Sequence, residues 1–450
     1  MNAKTSFRQN LIMILSVCCS FIPQISGAQK GWDEDQCIQY AIEHNYRIQN
    51  KLLDIKIANA DVMTTFGDFL PSVSTVGTLN RRHGRSVDPR TNQYTTESFL
   101  ESTAGLSISL PIFEGFSRIN RLQFHKLNKR ISMLSCKVEE NSLAFQVLEA
   151  FYRYYFDNEM HKLAIEQRRL GECYSERMTE YVNLGMRSRS DLQEVKARLQ
   201  SDIYQETVKS NDSHLSMLTL KELMSMGDAD TLLIAVDGDS IEVHSCSLSI
   251  DELYSVSEAS LPEFYIMEMK EKSSRESLSI AKGGFSPSVS MEFNLNTGYY
   301  DTERNKFDKT VPFQEQMKNN MNRYIGVRIS FPLFAGLSHI GTVRKEKLRL
   351  QQVQNENKQQ RLSLYREIHD TYLSFLTAIQ EYRLAEEQLH SSFITWKECE
   401  EKWGEGMVSM FELLEKRNMY IQAKAEIVRT KLQYNLKKRM IRFYQRGSFL

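Results

Sequence analysis

This chain of 450 residues is short of what breaks or cross-links a fold, with eight prolines, twenty glycines and seven cysteines, and its 57 basic side chains are balanced by 57 acidic ones. Each shortage excludes something. Cys37, Cys136, Cys173, Cys246 and Cys399 are scattered, odd in number and never in a C-x-x-C pair, so neither a disulfide framework nor a zinc site is indicated. The charge balance gives no reason to expect nucleic acid as a partner. There is no Gly-rich phosphate loop, no G-x-S-x-G and no H-E-x-x-H. The nine histidines are dispersed: His161, His369 and His390 fall in helical stretches and read as surface or interhelix residues, while the loop residues His83, Asp88, Asp301 and Glu303 form no recognisable spacing. No catalytic, cofactor-binding or metal-binding residue is therefore assigned. Beyond the N-terminus no apolar run reaches 18 residues, the length a membrane-spanning helix needs.

The N-terminus reads as an export signal over residues 1–28. Lys4 and Arg8 precede an apolar core from Leu11 to about Ile22, and Ser26-Gly27-Ala28 is a small-residue cleavage site. Cys18 invites a lipoprotein reading, but Val17 before it is bulkier than the small residue a lipidation signal carries. A polar segment at Asp237-Gly-Asp-Ser240 reads as a solvated turn, since a calcium loop needs more oxygen ligands at defined positions.

What the sequence does contain is one pattern twice. Gly185-Met-Arg-Ser188-Arg-Ser-Asp191-Leu192 and Gly406-Met-Val-Ser409-Met-Phe-Glu412-Leu413 each offer a Gly at which a helix stops and a Ser that caps the next one. An acidic residue three positions later then completes a capping box. The copies stand 221 residues apart, and the offset holds upstream without a gap: Leu163-Ala-Ile-Glu-Gln167 answers Leu384-Ala-Glu-Glu-Gln388, and Leu110-Pro-Ile-Phe-Glu-Gly115 answers Phe331-Pro-Leu-Phe-Ala-Gly336. The chain is read as a tandem duplication, residues 29–248 and 249–450.

Each unit opens its recognisable pattern with a proline-marked break, at Pro71 and Pro287, followed by alternation. Strands are expected at about 72–80, 102–110, 288–296 and 324–331. The clearest are Val289, Met291, Phe293 and Leu295, then Ile325, Val327, Ile329 and Phe331, apolar at every second position. Long helices follow. From about Phe116 to Leu184 there is no proline and one internal glycine, Gly171, with apolar residues at threes and fours, and the second copy spaces Ile368, Tyr372, Phe375 and Ile379 likewise. A helix comes back after each Gly-x-x-Ser turn, over about 190–224 and 411–444, and the strip from Cys37 to Leu70 is also helical.

Four alternating strands in an exported chain fit an outer-membrane barrel, yet four strands cannot close in lipid without leaving edge groups unsatisfied. Two copies would give eight strands and an interior filled with side chains. Three give twelve and a wet lumen, so three are expected. The helices would then form a cylinder of twelve antiparallel passes ending in six turns.

The strand starts Leu-Pro-Ser-Val-Ser and Ser-Pro-Ser-Val-Ser, the strand ends at Gly115 and Gly336, and the turns at Gly185 and Gly406 resemble the outer-membrane efflux protein family, the TolC-like outer-membrane factors. The resemblance covers nearly the whole chain past the signal. It implies a mainly α fold with a membrane β-barrel, closed by a homotrimer from four strands per chain, a long periplasmic α-helical barrel and a small equatorial region. It implies the exit duct of a tripartite efflux or type I secretion system, set in outer-membrane lipid and docked at its helical tips onto a periplasmic adaptor coupled to an inner-membrane pump. Carried over, the tip role falls on Gly185, Ser188, Asp191 and Leu192 and on Gly406, Ser409, Glu412 and Leu413. The copies depart from each other in that Phe411 stands where the first has Ser190, and Arg187 and Arg189 make the first turn more basic.

Overall fold

A computed structural model describes residues 31–87, 92–96, 98–227, 232–234, 249–307 and 309–449. The export signal at 1–28, Cys246 and the Asp237–Ser240 turn lie outside them. The first half holds α1 (Glu34–His44), α2 (Tyr46–Gly67), β1 (Ser72–Arg82), the short β2 (Ser86–Val87) and β3 (Tyr94–Thr95), β4 (Phe99–Glu114), α3 (Ser117–Asn183) and α4 (Arg189–Met224). The second holds α5 (Ile250–Ser260), α6 (Pro262–Gly283), β5 (Ser288–Tyr300), α7 (Phe313–Asn319), β6 (Asn322–Ser330), α8 (Ser338–Gly404) and α9 (Met410–Arg446).

Element by element the halves correspond. α1 and α5 are each 11 residues, α2 and α6 each 22, α3 and α8 each 67. The first two helices and the leading strand recur 216 residues apart, and the long helix and its return partner 221 apart. At about 1.5 Å per residue, α8 is on the order of 100 Å long. So long a helix is stable only with a lateral partner.

One local break separates the structure from the expected single helix over 37–70. Asn45 leaves the helical region and its side chain accepts from Arg47 N at 2.8 Å, ending α1 and capping α2. In the second half Pro262 supplies the first turn of α6 after an extended Leu261. The strands also run further than their alternation: β4 spans 99–114 and β5 reaches Tyr300. Polar residues continue them because ladder partners persist there, as in Arg82↔Phe99 and Glu101↔Tyr300.

The described residues fall into two compact units, one within Met1–Ala41 and Val147–Glu242, the other within Ile42–Gln146 and Val243–Leu450. In the first, Val147, Leu148, Phe151, Met178, Val195 and Leu220 are buried. Gly171 lets α3 and α4 approach, since a Cβ there would lie 3.0 Å from Asp202 Oδ2 and 3.3 Å from Leu199 Cδ1. Arg168 ties the same helices by pairing with Glu172 on α3 and Glu206 on α4. In the second unit α8 packs on α9 through Ile368, Phe375 and Ile379, with Phe375 stacked on Tyr434 at 5.8 Å and Trp396 on Tyr420 at 4.9 Å. Thr371 is buried where the spacing favours Tyr372, which is half-buried. Ser257 of α5 donates to Tyr444 O at 2.9 Å and so holds the end of α9.

Candidate functional site

The sheet is antiparallel in the order β1-β4-β5-β6. Its register brings the apolar positions of four strands, drawn from both halves of the chain, into the same rows. Val73 pairs with Ile108, Ile108 with Phe293 and Phe293 with Ile325; one step away Leu110 pairs with Met291 and Met291 with Val327. Because side chains alternate, these residues all lie on one face. Among the described residues nothing covers it: Val73, Leu79, Ile325, Val327 and Ile329 are 60% to 71% exposed. The opposite face carries Ser74, Thr78, Asn80, Ser107, Asn294 and Asn296, with Glu101 and Glu292 paired across strands. Glu101 meets Arg82 at 2.9 Å, Glu292 meets Arg328 at 2.8 Å, and the Thr78 and Thr103 hydroxyls share a 2.6 Å bond. Such a sheet separates an apolar medium from a polar one.

Among the described residues its outer edges, β1 and β6, have no strand beyond them, and both are exposed along nearly their whole length. One stretch of edge is closed internally. β6 pairs with β5 only as far as Asn296, and past that point Gln316 of α7 takes the place of a strand. Its Oε1 accepts from Tyr300 N at 2.9 Å, and its Nε2 donates to Tyr300 O at 3.0 Å and to Val311 O at 2.8 Å. Asn320 Nδ2 donates to Gly298 O at 2.9 Å. Gln316 is fully buried. A primary amide has the same donor and acceptor pair as a peptide unit, which is why it can complete a ladder.

The two helix turns are built alike. In the first, Gly185 adopts φ 71°, Met186 N donates to Tyr181 O at 2.8 Å and Gly185 N to Val182 O at 3.1 Å, the paired bonds that end a helix on a left-handed residue. Ser188 then caps α4: Asp191 N donates to its Oγ at 3.1 Å and Ser188 N donates back to Asp191 Oδ2 at 3.4 Å. In the second, Gly406 has φ 80°, Met407 N reaches Lys402 O at 2.9 Å, and Glu412 N donates to Ser409 Oγ at 3.2 Å. The reciprocal bond is made only in the first turn. Gly185, Ser188, Gly406, Ser409 and Glu412 are exposed, Asp191 and Leu192 half-buried, and Leu413 fully buried. The large apolar residues exposed at the turns are Leu184, Met186, Met407 and Phe411. Turn chemistry alone points past them to the capping groups, although two apolar residues flanking a helix-ending Gly are a signal that could have been read.

Residues 253–443 match the outer membrane efflux protein family. Among solved structures the chain is similar to CusC (14% identity, TM-score 0.79, covering 92% of each chain) and to the Campylobacter jejuni CmeC outer membrane channel (15%, 0.79, 92% of this chain and 85% of that one). The outer membrane protein VceC of Vibrio cholerae gives 11% identity and a TM-score of 0.77 over 93% and 97%. No curated protein matches in sequence. The second half of the chain carries the family's sequence pattern, and the fold throughout is that of the TolC-like channels. No described helix is long and apolar enough to cross a membrane. The feature with a continuous uncovered apolar face is the four-stranded sheet.

Proposed function

We propose that this chain is an exit duct in the outer membrane, a homotrimer in which three four-stranded sheets close into one twelve-stranded barrel. The observation that carries this reading is the in-register apolar face on a sheet whose two edges are unpaired. An edge in lipid would leave backbone N–H and C=O groups without partners, at several kcal/mol each, so β6 of one copy must meet β1 of another. The apolar face then turns to lipid, and the Asn, Ser, Thr and paired Arg–Glu face lines water. Twelve strands leave a lumen wide enough to conduct.

The turns at Gly185, Ser188, Asp191 and Leu192 and at Gly406, Ser409, Glu412 and Leu413 form the docking tips for a periplasmic adaptor, itself coupled to an inner-membrane pump of a tripartite efflux or type I secretion system. The capping residues fix the loop shape, Leu413 anchors the second turn from inside, and Leu184, Met186, Met407 and Phe411 offer apolar contact. Cargo is selected upstream, since the duct needs only to be wet and wide.

The test is the mass of the detergent-extracted complex from outer membranes, together with its conductance in planar bilayers. Three chains and stepwise ion currents are expected. A soluble monomer without current would overturn the duct.

A further inference from the structure

The two strand-to-helix junctions are the same turn in two settings. At each, a glycine and the apolar residue after it are both left-handed: Gly115 (φ 59°) with Phe116 (φ 63°), and Gly336 (φ 55°) with Leu337 (φ 65°). The first turn is packed against the end of α6. A Cβ on Gly115 would overlap Ser286 Cβ and Gly283 O, and a Cβ on Gly283 would lie 2.8 Å from Gly115 O and 3.3 Å from Ser117 Cβ. Ser117 Oγ donates to Ile280 O at 3.3 Å, and further along Ser273 Oγ donates to Asn128 Oδ1 at 2.8 Å. Thus α6, from the second half, sits on the exit turn and long helix of the first.

Each of these helices also holds its own half's long helix. Arg121 pairs with Asp68 at 3.3 Å and Lys129 with Asn59 at 2.8 Å, joining α3 to α2. Asn357 donates to Met267 O at 3.0 Å and Gln354 to Glu271 at 3.0 Å, joining α8 to α6. The order is α2, α3, α6, α8, and the row stops there. α3 and α6 are engaged on both sides, whereas among the described residues α2, and α8 over 338–361, each keep one side free.

By the constant offsets, the residue of α2 equivalent to Gly283 is Gly67, and the turn equivalent to Gly115 is Gly336. Both have nothing within 4 Å of where a Cβ would stand. Ile57 of α2, the counterpart of Ser273, is 60% exposed, whereas Ser273 is 6% exposed. Phe66 on α2 and Leu337 and Ile340 at the start of α8 are exposed as well. A glycine-sized recess on one free side, the matching left-handed turn on the other and apolar flanks on both are the two halves of one contact.

We propose that the Gly336 turn of one copy nests on the end of α2 in the next copy, with Gly336 against Gly67 and Ser338 Oγ donating to Thr64 O, as Ser117 does to Ile280 O within the chain. The partner is a second copy of this chain, because the fitting surface is already present within the chain as the Gly115–Gly283 contact. The inference rests on the three-copy reading and adds to it a defined seam outside the barrel.

Gly67→Cys with Ser338→Cys tests it. Their counterparts place a Gly283 Cβ 3.3 Å from Ser117 Cβ, close to the separation a disulfide bridges. Gly67 is not left-handed and has open space in the single chain, so cysteine folds there without strain; in the seam its Cβ would press on the neighbour's turn as a Gly283 Cβ would on Gly115 O at 2.8 Å, so a pair further along the helices is probed as well. Mild oxidation of the outer-membrane complex should convert most of the chain to two- and three-chain species on denaturing gels, reversed by reductant and absent from either single variant. As a second probe, Ile57→Cys with Arg349→Cys, the counterparts of Ser273 and Asn128, should join through a short bis-maleimide. A complex of three-chain mass that yields no ladder with either pair overturns the seam and leaves the duct standing. Cross-linking to a different protein also overturns it. A single-chain mass with no current removes the duct itself.

Discussion

Glu263, in the first turn of α6, has a carboxylate oxygen buried without a partner. Burial, and then the nearby Glu367 charge, push its pKa up, against the pull of its own backbone N–H. A carboxyl whose folded pKa is raised holds its proton more tightly folded than unfolded. The stability it supplies is therefore full below the unfolded value near 4.5 and is lost as pH rises through the raised folded one. Glu263→Gln should flatten the decline in melting temperature as pH rises above the unfolded value near 4.5; an unchanged pH profile would show that this carboxylate is already accommodated. The thiols behave in a related way. Burial pushes Cys37 up to about 12 and Cys136 up to about 11, with nearby carboxylates adding to both. Since the thiolate is the reactive form, neither should react with N-ethylmaleimide at pH 7.5 until the chain is denatured, as read by mass spectrometry of the peptides.

Among the elements, the turns and the loop helix differ in how their ends are satisfied. Ser188 takes part in two reciprocal bonds and Ser409 in one. Ser188→Ala should thus speed amide exchange at the start of α4 more than Ser409→Ala does at the start of α9, with cap losses of about 1 kcal/mol. Equal effects would mean that the weak return bond to Asp191 contributes nothing. Gln316→Ala removes both amide contacts to Tyr300 and leaves a strand edge bare. Exchange at Tyr300 N should rise at least tenfold while residues 288–296, which keep β6 as their partner, stay protected.

For the whole molecule the deciding question is which sheet face meets lipid. Val327 is on the apolar face and Asn294 on the polar one, in adjacent strands. Val327→Lys should cost about 2–4 kcal/mol per chain in the bilayer and deplete the protein from outer membranes, whereas Asn294→Lys should be recovered in near-normal amounts with altered ion selectivity. The reverse pattern would turn the sheet inside out.

Much of this was legible in residue order. Alternation at 289–295 and 325–331 marks strands because a pleated strand repeats every two residues, and the glycines at 185 and 406 mark turns because they can adopt the left-handed conformation there. The break at Asn45 was not legible, since an Asn within an apolar-periodic stretch reads equally well as a surface position. Nor was the Gln316 clasp, which joins residues whose proximity depends on where β6 ends. Which apolar residues project at the tips also escaped, because capping chemistry names the residues that shape a turn and is silent on those the turn displays.

The sequence by itself determined the duplicated order of elements, the helix lengths and the places where helices reverse, all of them consequences of local periodicity and of glycine, proline and serine at fixed offsets. Only the tertiary structure decided that strands from both halves share one sheet in a register that aligns their apolar rows, and that its edges stay open. It also decided that α6 packs on the first half while, among the described residues, nothing meets Gly67 at the end of α2 or the Gly336 turn. These are pairings between residues up to two hundred positions apart, and no local pattern encodes which partner a surface will meet.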